Sequence, residues 1–388
     1  MKNVKLFTAL LAVALVAGIT IFYACKKETE IIEKPVTGIA PNPLENLYKQ
    51  LPTPDFGNIK LVNGDILKFE SAEHYEQVYD ALKEQCDAWM ALFLQTYDTG
   101  SEDHLDSIVE QLKFDENLPL KKFEQQYKKT NLTLLEEMSI KEVIWLERGG
   151  EGLPPSDEIT NCAIEQTLLS QYYEYCIGDN ICQLRPNSCE IHIPTSKLSM
   201  LKQIRNTSIE DLISYSRALA PGGGGPLYIP EPFNINIYPP KENSGSNDCG
   251  CDYCYCTDYN KTFEVFNGSD YKFTLSYHFR HDFGKGKAKT IVTSNNYKLK
   301  KGSWKKDYSS NCRLGFSTKL YQNPSITQCI DKGRDGKTGN ISQAFSKSKS
   351  KVFKFDYEVV TDKISESYVT YRHKGTEYKF NPRGEVVS

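Results

Sequence analysis

Residues 220–248 constrain this chain more than any other stretch. Gly222 to Gly225 stand in a row, Pro226, Pro230, Pro232, Pro239 and Pro240 follow, and Asn243-Ser244-Gly245-Ser246-Asn247 comes after them. Each proline ring fixes φ and removes a backbone donor, so neither a helix nor a central strand tolerates this density. The stretch reads as a linker, and the residues on its two sides carry different periodicities. No G-x-x-x-x-G-K-[ST] or G-x-G-x-x-G spacing accompanies the glycines, so they give no support to phosphate binding.

On the N-terminal side the period is helical. Ser71 is placed to cap a helix from Ala72, and Tyr75, Val78, Tyr79, Leu82, Cys86, Trp89, Met90, Phe93, Leu94 and Tyr97 form one apolar stripe. Asp98-Thr99-Gly100 stops it, and Leu105, Ile108, Val109 and Leu112 make a shorter stripe. Ser139-Ile140-Lys141-Glu142 reads as a capping box for a helix closed by Gly149-Gly150. Ser156 precedes a further helix, with Cys162 and Cys176 facing inward and Gly178 at its end, and Ser208 opens a last one up to about Leu219. The expectation is an α-helical bundle over 59–219, with Trp89 and Trp145 in its core.

On the C-terminal side the period is two. Tyr271 to Phe279, Val352 to Val359 and Tyr368 to Arg372 alternate, glycines punctuate the runs, and Lys374-Gly375 reads as the turn of a hairpin from Ser367 to Phe380. The fold class expected is therefore α+β in two modules, the second an antiparallel β-sandwich or barrel over 249–388.

Charge divides at nearly the same place. Residues 257–388 carry 25 Lys+Arg against 13 Asp+Glu, and residues 1–256 carry 22 against 37, although the whole chain is only −3. No uniform basic surface exists for nucleic acid. Two readings stand: a basic face for an anionic glycan or lipid headgroup, or two surfaces that attract each other.

The first residues give an address. Lys2 and Lys5 precede an uncharged run from Leu6 to Ala24, a basic n-region and an apolar h-region, so 1–24 reads as a signal peptide. Ala24-Cys25 ends that run, and a small residue before cysteine at this position resembles the bacterial lipobox, although Phe22 and Tyr23 depart from its usual pattern. Lys26-Lys27-Glu28-Thr29-Glu30 follows, and residues 25–58 read as a lipidated tether. This charged stretch is similar to that of surface lipoproteins of the Bacteroidota phylum. Leu67-Lys68-Phe69-Glu70-Ser71-Ala72-Glu73-His74-Tyr75 also resembles a recurrent opening of such lipoproteins, in which a short strand leads into a long amphipathic helix. The resemblance implies an outer-membrane lipoprotein exposed at the cell surface, anchored through Cys25. The group has no assigned activity, so no catalytic residue transfers.

An exported chain meets an oxidising compartment, where disulfides are the default. The cysteines are 25, 86, 162, 176, 182, 189, 249, 251, 254, 256, 312 and 329. Lipidation of Cys25 leaves an odd number, and Cys86, on the long helix stripe, is the candidate free thiol. On one helix Cys162 and Cys176 would be ~21 Å apart, beyond the ~7 Å Cα reach of a disulfide. The chain reverses at Gly178, so Cys176–Cys182 and Cys162–Cys189 are the expected pairs. Cys312 and Cys329 suit a bridge within the β module. With Asp252-Tyr253 as a hairpin turn, Cys249, Cys251, Cys254 and Cys256 share one face. They form stacked disulfides or reach Cys312 and Cys329. Alternatively they hold Zn²⁺ as a four-thiolate set, or Cys251 and Cys254 are redox-active.

His278 and His281 are spaced H-x-x-H, which on a strand puts them on opposite sides, and Asp331 to Gly336 reads as a turn rather than a Ca²⁺ loop. Neither H-E-x-x-H nor G-x-S-x-G is present. The functional expectation is a non-catalytic binding or adhesion module of the cell envelope, with a surface protein or an anionic glycan as partner and no cofactor. The alternative is a metal-dependent or redox-active module on Cys249–Cys256.

Overall fold

The computed structural model describes residues 42–127, 132–186, 189–214, 227–230, 233, 235–238, 255–256, 259–282, 287–308, 312–317, 320–322, 333–334, 338–343, 348–355, 360–363, 368–373, 375–381 and 384–387. Residues 1–49 form one unit and residues 50–388 another. The described part of the first is a short helix, α1 (Pro43–Tyr48), where the Asn42 side chain accepts from the Leu44 amide. It lies in the stretch expected to be tether. Cys25 lies outside the described residues.

The second unit opens with strands β1 (Lys60–Val62) and β2 (Ile66–Phe69), then the long helix α2 (Ala72–Tyr97). Ser71 caps α2 by accepting from the His74 amide, and Asp98 ends it, as its stripe predicts. Helices α3 (Glu102–Leu112), α4 (Leu118–Gln126), α5 (Leu134–Glu147) and α6 (Ala163–Leu168) follow. The capping box of α5 is Thr133 with Glu136, six residues before the expected one. Ser139 is instead inside the helix, donating back to the Leu135 carbonyl at 2.7 Å.

The rest of the expected helical region departs from a bundle. The helix expected over 156–178 is confined to α6, and the chain continues into strands β3 (Glu174–Ile177), β4 (Asn180–Arg185) and β5 (Cys189–Pro194). Tyr173 adopts φ +60°, which no helix continues through. Helices α7 (Leu201–Asn206) and α8 (Ile209–Ser214) come next. Part of the expected linker is also sheet: β6 (Leu227–Ile229) and β7 (Ile235–Tyr238) pair with each other, and β7 pairs with β5. Here proline is kept to the connection while the Ile-rich runs between prolines pair.

These strands make a seven-stranded sheet of order β1-β2-β3-β4-β5-β7-β6 with one parallel pair, β2 and β3. Strand parity sorts its residues onto two covered faces. Leu67, Phe69, Tyr175, Cys182 and Leu184 pack under Tyr75, Tyr79 and Leu82 of α2 and Phe123 of α4. Ile66, Cys176, Ile181, Ile191, Ile193, Ile235 and Ile237 pack under Leu201 and Ile204 of α7 and Leu212 of α8. A sheet buried on both faces explains these runs of isoleucine.

The C-terminal part is antiparallel throughout its described strands. These are β8 (Tyr255–Cys256), β9 (Tyr259–Asn267), β10 (Tyr271–Asp282), β11 (Lys287–Lys300), β12 (Ser303–Lys306), β13 (Cys312–Ser317), β14 (Leu320–Gln322), β15 (Gly333–Arg334), β16 (Thr338–Gln343), β17 (Ser348–Phe355), β18 (Val360–Lys363), β19 (Tyr368–His373) and β20 (Thr376–Phe380). They form the orders β12-β11-β10-β9 with β17 beside β11, β16-β13-β19-β20, and β15-β14-β18-β8, open sheets rather than a closed barrel among the described residues. The terminal hairpin is as expected, with His373 opposite Thr376.

The predicted cysteine pairs are corrected by register. Cys176 faces Ile181 across the β3–β4 ladder, and Cys182 faces Tyr175, so the two thiols point to opposite faces of the sheet and carry no bond. Cys162 is a reduced thiol against the Tyr79 hydroxyl at 3.3 Å, so it does not bridge to Cys189. Cys86 is also reduced, as expected. Cys249, Cys251, Cys254 and Cys329 lie outside the described residues. The strand positions of Cys189, Cys256 and Cys312 are described, with Cys256 opposite Asp362 and Cys312 opposite Gln343 and His373.

Candidate functional site

The helical and β parts meet along a polar seam. Lys272 of β10 is buried, yet its ammonium reaches the Gly150 carbonyl at 2.6 Å and Glu264 at 2.8 Å. The rings of Trp145 and Trp304 stand 4.8 and 4.7 Å from it. This cation between aromatic faces ties the end of α5 to the sheet. Trp145 thus serves the seam, whereas Trp89 is wholly buried in the helical core with its N–H on the Asp115 carbonyl.

Further along, lysines of the basic half meet acids of the acidic half. Lys298 lies 2.7 Å from Asp106, and Lys300 lies 3.1 Å from the other oxygen of Asp106. Lys306 contacts Glu142 and lies 3.7 Å from Glu116. The charge division read from the sequence is therefore spent, at these positions, on attraction within the molecule.

Beside Lys306 the seam opens into a cleft of about 100 Å³. Glu116 and Asn117 precede α4; Ser139 and Glu142 come from α5; Asn161 and Gln166 flank and enter α6; Thr274, Ser276, Asn295 and Tyr297 come from the sheet. The Tyr297 hydroxyl donates to Glu142 at 3.2 Å. Burial, then the neighbouring Glu142, holds the Tyr297 phenol well above its usual range. Burial, then Glu116, does the same for Tyr308. Both phenols stay neutral at physiological pH, and Tyr297 acts as a donor. The cleft offers carboxylates, amides, hydroxyls and one ammonium, with no histidine or cysteine in its lining. Such a set recognises by hydrogen bonds. Its volume is below the ~300–1,000 Å³ of sites that enclose a small molecule.

Lys306 is one of the lysines that make residues 257–388 basic. Glu142 enters the sequence reading only as the end of an expected capping box, and Glu116 not at all, because surface-like acids carry no signal of what will pack against them. The backbone positions of His278 and His281 both lie in β10.

Neither a family model nor a curated protein matches the chain. Among solved structures, a DUF4848 family protein from Bacteroides thetaiotaomicron is similar over 82% of this chain and 96% of that chain, at 11% identity and a TM-score of 0.14. Among the described residues no helix is long and apolar enough to cross a membrane.

Proposed function

We propose that this chain is a non-catalytic binding module of the bacterial cell envelope, held at the outer-membrane surface by a lipid on Cys25. The observation that supports the binding reading is the seam cleft, whose polar groups are held in place by elements far apart in sequence. Glu142 has its two oxygens turned to Tyr297 and Lys306, an arrangement of a fixed recognition surface rather than of a free general base. The partner fitting it is hydroxyl-rich, a glycan or a surface protein presenting one polar group to the cleft. The lysines used inside the seam leave less of the basic half for an anionic glycan than its charge alone suggests.

The test is a glycan array of neutral and acidic sugars probed with the full chain in detergent, followed by titration of any hit. Saturable binding, weakened about tenfold or more (~1.4 kcal/mol) by Glu142→Gln, is expected. A ligand whose mass changes with time would overturn the non-catalytic reading. Equal binding by Glu142→Gln and Lys306→Ala would move the site elsewhere. Lipid on Cys25 is checked by metabolic labelling with a fatty-acid analogue, which Cys25→Ala should abolish.

A further inference from the structure

Away from the seam, the seven-stranded sheet brings together three side chains of different donor chemistry. Cys182 of β4 lies directly opposite His192 of β5, and Glu190 precedes His192 by two residues on the same strand. Period two puts all three on one face. The Cys182 Sγ, a Glu190 carboxylate oxygen and a His192 ring nitrogen all lie within 4.8 Å of one another. Glu190 already accepts from the Tyr175 hydroxyl at 3.1 Å and contacts His192 Nε2 at 2.9 Å.

From this geometry we propose that Cys182, Glu190 and His192 bind a zinc-class divalent cation. Thiolate, imidazole and carboxylate are the donor set of zinc, and the sulfur disfavours magnesium and calcium. Metal–ligand lengths of ~2.0–2.3 Å place tetrahedral donors roughly 3.3–3.8 Å apart, so donors up to 4.8 Å apart draw in by about 1–1.5 Å at most, while the 2.9 Å Glu190–His192 contact opens slightly around the ion. On binding, Zn²⁺ displaces the thiol proton of Cys182 to solvent and takes one imidazole lone pair. If Nε2 is that donor, the imidazole proton resides on Nδ1. The dication then offsets the negative charge of the thiolate formed on binding and of the Glu190 carboxylate in a buried setting. Tyr175 keeps its hydrogen bond to Glu190 and orients it. Cys182 and Glu190 are buried, whereas His192 keeps 14% of its side chain exposed, which gives the ion a way in. Three protein donors leave the fourth position to water or an incoming ligand, the pattern of zinc sites that are not purely structural. The donors stand on neighbouring strands of a covered sheet rather than on loops, which preserves their spacing.

The test uses the full chain in detergent, stripped with chelator and loaded with one equivalent of Zn²⁺ or Co²⁺. X-ray absorption at the zinc edge of the wild-type protein is expected to count one sulfur and nitrogen or oxygen neighbours. Four sulfurs would overturn the proposal and place the ion on Cys249, Cys251, Cys254 and Cys256, as would failure to retain zinc. With cobalt, a thiolate charge-transfer band is expected to persist when those four are changed to serine and to vanish in Cys182→Ser. Zinc affinity is expected to fall ~100-fold or more in His192→Gln and ~10-fold in Tyr175→Phe. Circular dichroism checks that both variants fold. If His192→Gln does not fold, Tyr175→Phe and the wild-type sulfur count still decide; unchanged affinity in a folded His192→Gln overturns the site.

Discussion

The ammonium of Lys272 lies 2.6 Å from the carbonyl of Gly150, 122 residues away in the chain. With Glu264 at 2.8 Å, it is a buried cation whose partners come from both the helical and the β part. Removing the charge leaves the Glu264 carboxylate and a carbonyl facing an apolar group. Lys272→Met is expected to lower stability by roughly 3–5 kcal/mol, the cost of breaking a buried pair from one side. Urea unfolding followed by tryptophan fluorescence measures it. A loss below 1 kcal/mol would mean that the seam does not depend on this contact.

Gly149 and Gly150 separate two effects that usually come together. Both have positive φ, +99° and +67°, but a Cβ on Gly150 would lie 2.8 Å from the Trp304 Cβ, whereas one on Gly149 meets nothing within 4 Å. Gly149→Ala therefore carries only the backbone cost, about 1–2 kcal/mol. Gly150→Ala adds a displacement of Trp304 from the Lys272 cage and is expected to cost clearly more. Equal midpoints of thermal unfolding for the two variants would refute the close approach.

Arg205 pairs with Glu174 at 2.5–2.8 Å on the α7 face of the sheet, and Ser170 donates to the same carboxylate at 2.9 Å. Burial raises the Glu174 carboxyl above the ordinary range despite the opposing pull of Arg205 and Ser170. A carboxyl raised in the folded state contributes stability at pH below its unfolded value. That contribution is lost as pH rises through the raised folded value. The stability difference between wild type and Glu174→Gln is therefore expected to shrink as pH climbs from the normal carboxylate range through that value. It does not vanish, because Gln removes the closer of the two carboxylates that face Arg205, leaving Asp65 at 3.7 Å. Urea midpoints from pH 4 to 8 test the slope; a difference that grows with pH reverses the assignment.

Burial also raises the thiols of Cys86, Cys162 and Cys176, the last up to about 11. Since the thiolate is the reactive form, none of the three is expected to alkylate in the native protein at pH 7.5, and all should label after denaturation. Cys176 contributes stability that is complete below the usual thiol pKa and lost as pH rises toward 11. Native labelling of Cys176 at pH 7.5, located by peptide mapping, would contradict its burial.

Some of this was legible in the residues alone. The helix from Ala72 to Tyr97 is long, its stripe is continuous, and Ser71 and Asp98 bound it, so local chemistry suffices. The same holds for the strand from Tyr271 to Asp282, whose alternation runs past any ambiguity of period, and for the hairpin at Gly375. Glu174–Ile177 was not legible, because Leu169, Tyr172, Tyr173 and Cys176 also fit a helical stripe. What settles them as strand is pairing with Lys68 and Phe69, more than a hundred residues earlier, and with β4.

Disulfide pairing, the seam and the Cys182–Glu190–His192 trio share one cause. A slip of one residue in register sends every side chain of a strand to the other face. Register in this sheet is set by which strands adjoin and by two apolar faces that must both be covered. The sequence by itself determined the long helix, the alternating strands and the opposed charges of the two halves, because those are properties of neighbouring residues. Only the tertiary structure decided that Cys176 and Cys182 point apart, that Lys298, Lys300 and Lys306 are turned toward Asp106, Glu116 and Glu142, and that a thiol, a carboxylate and an imidazole share one face. Those relationships depend on which distant segments pack together, and no local pattern encodes that.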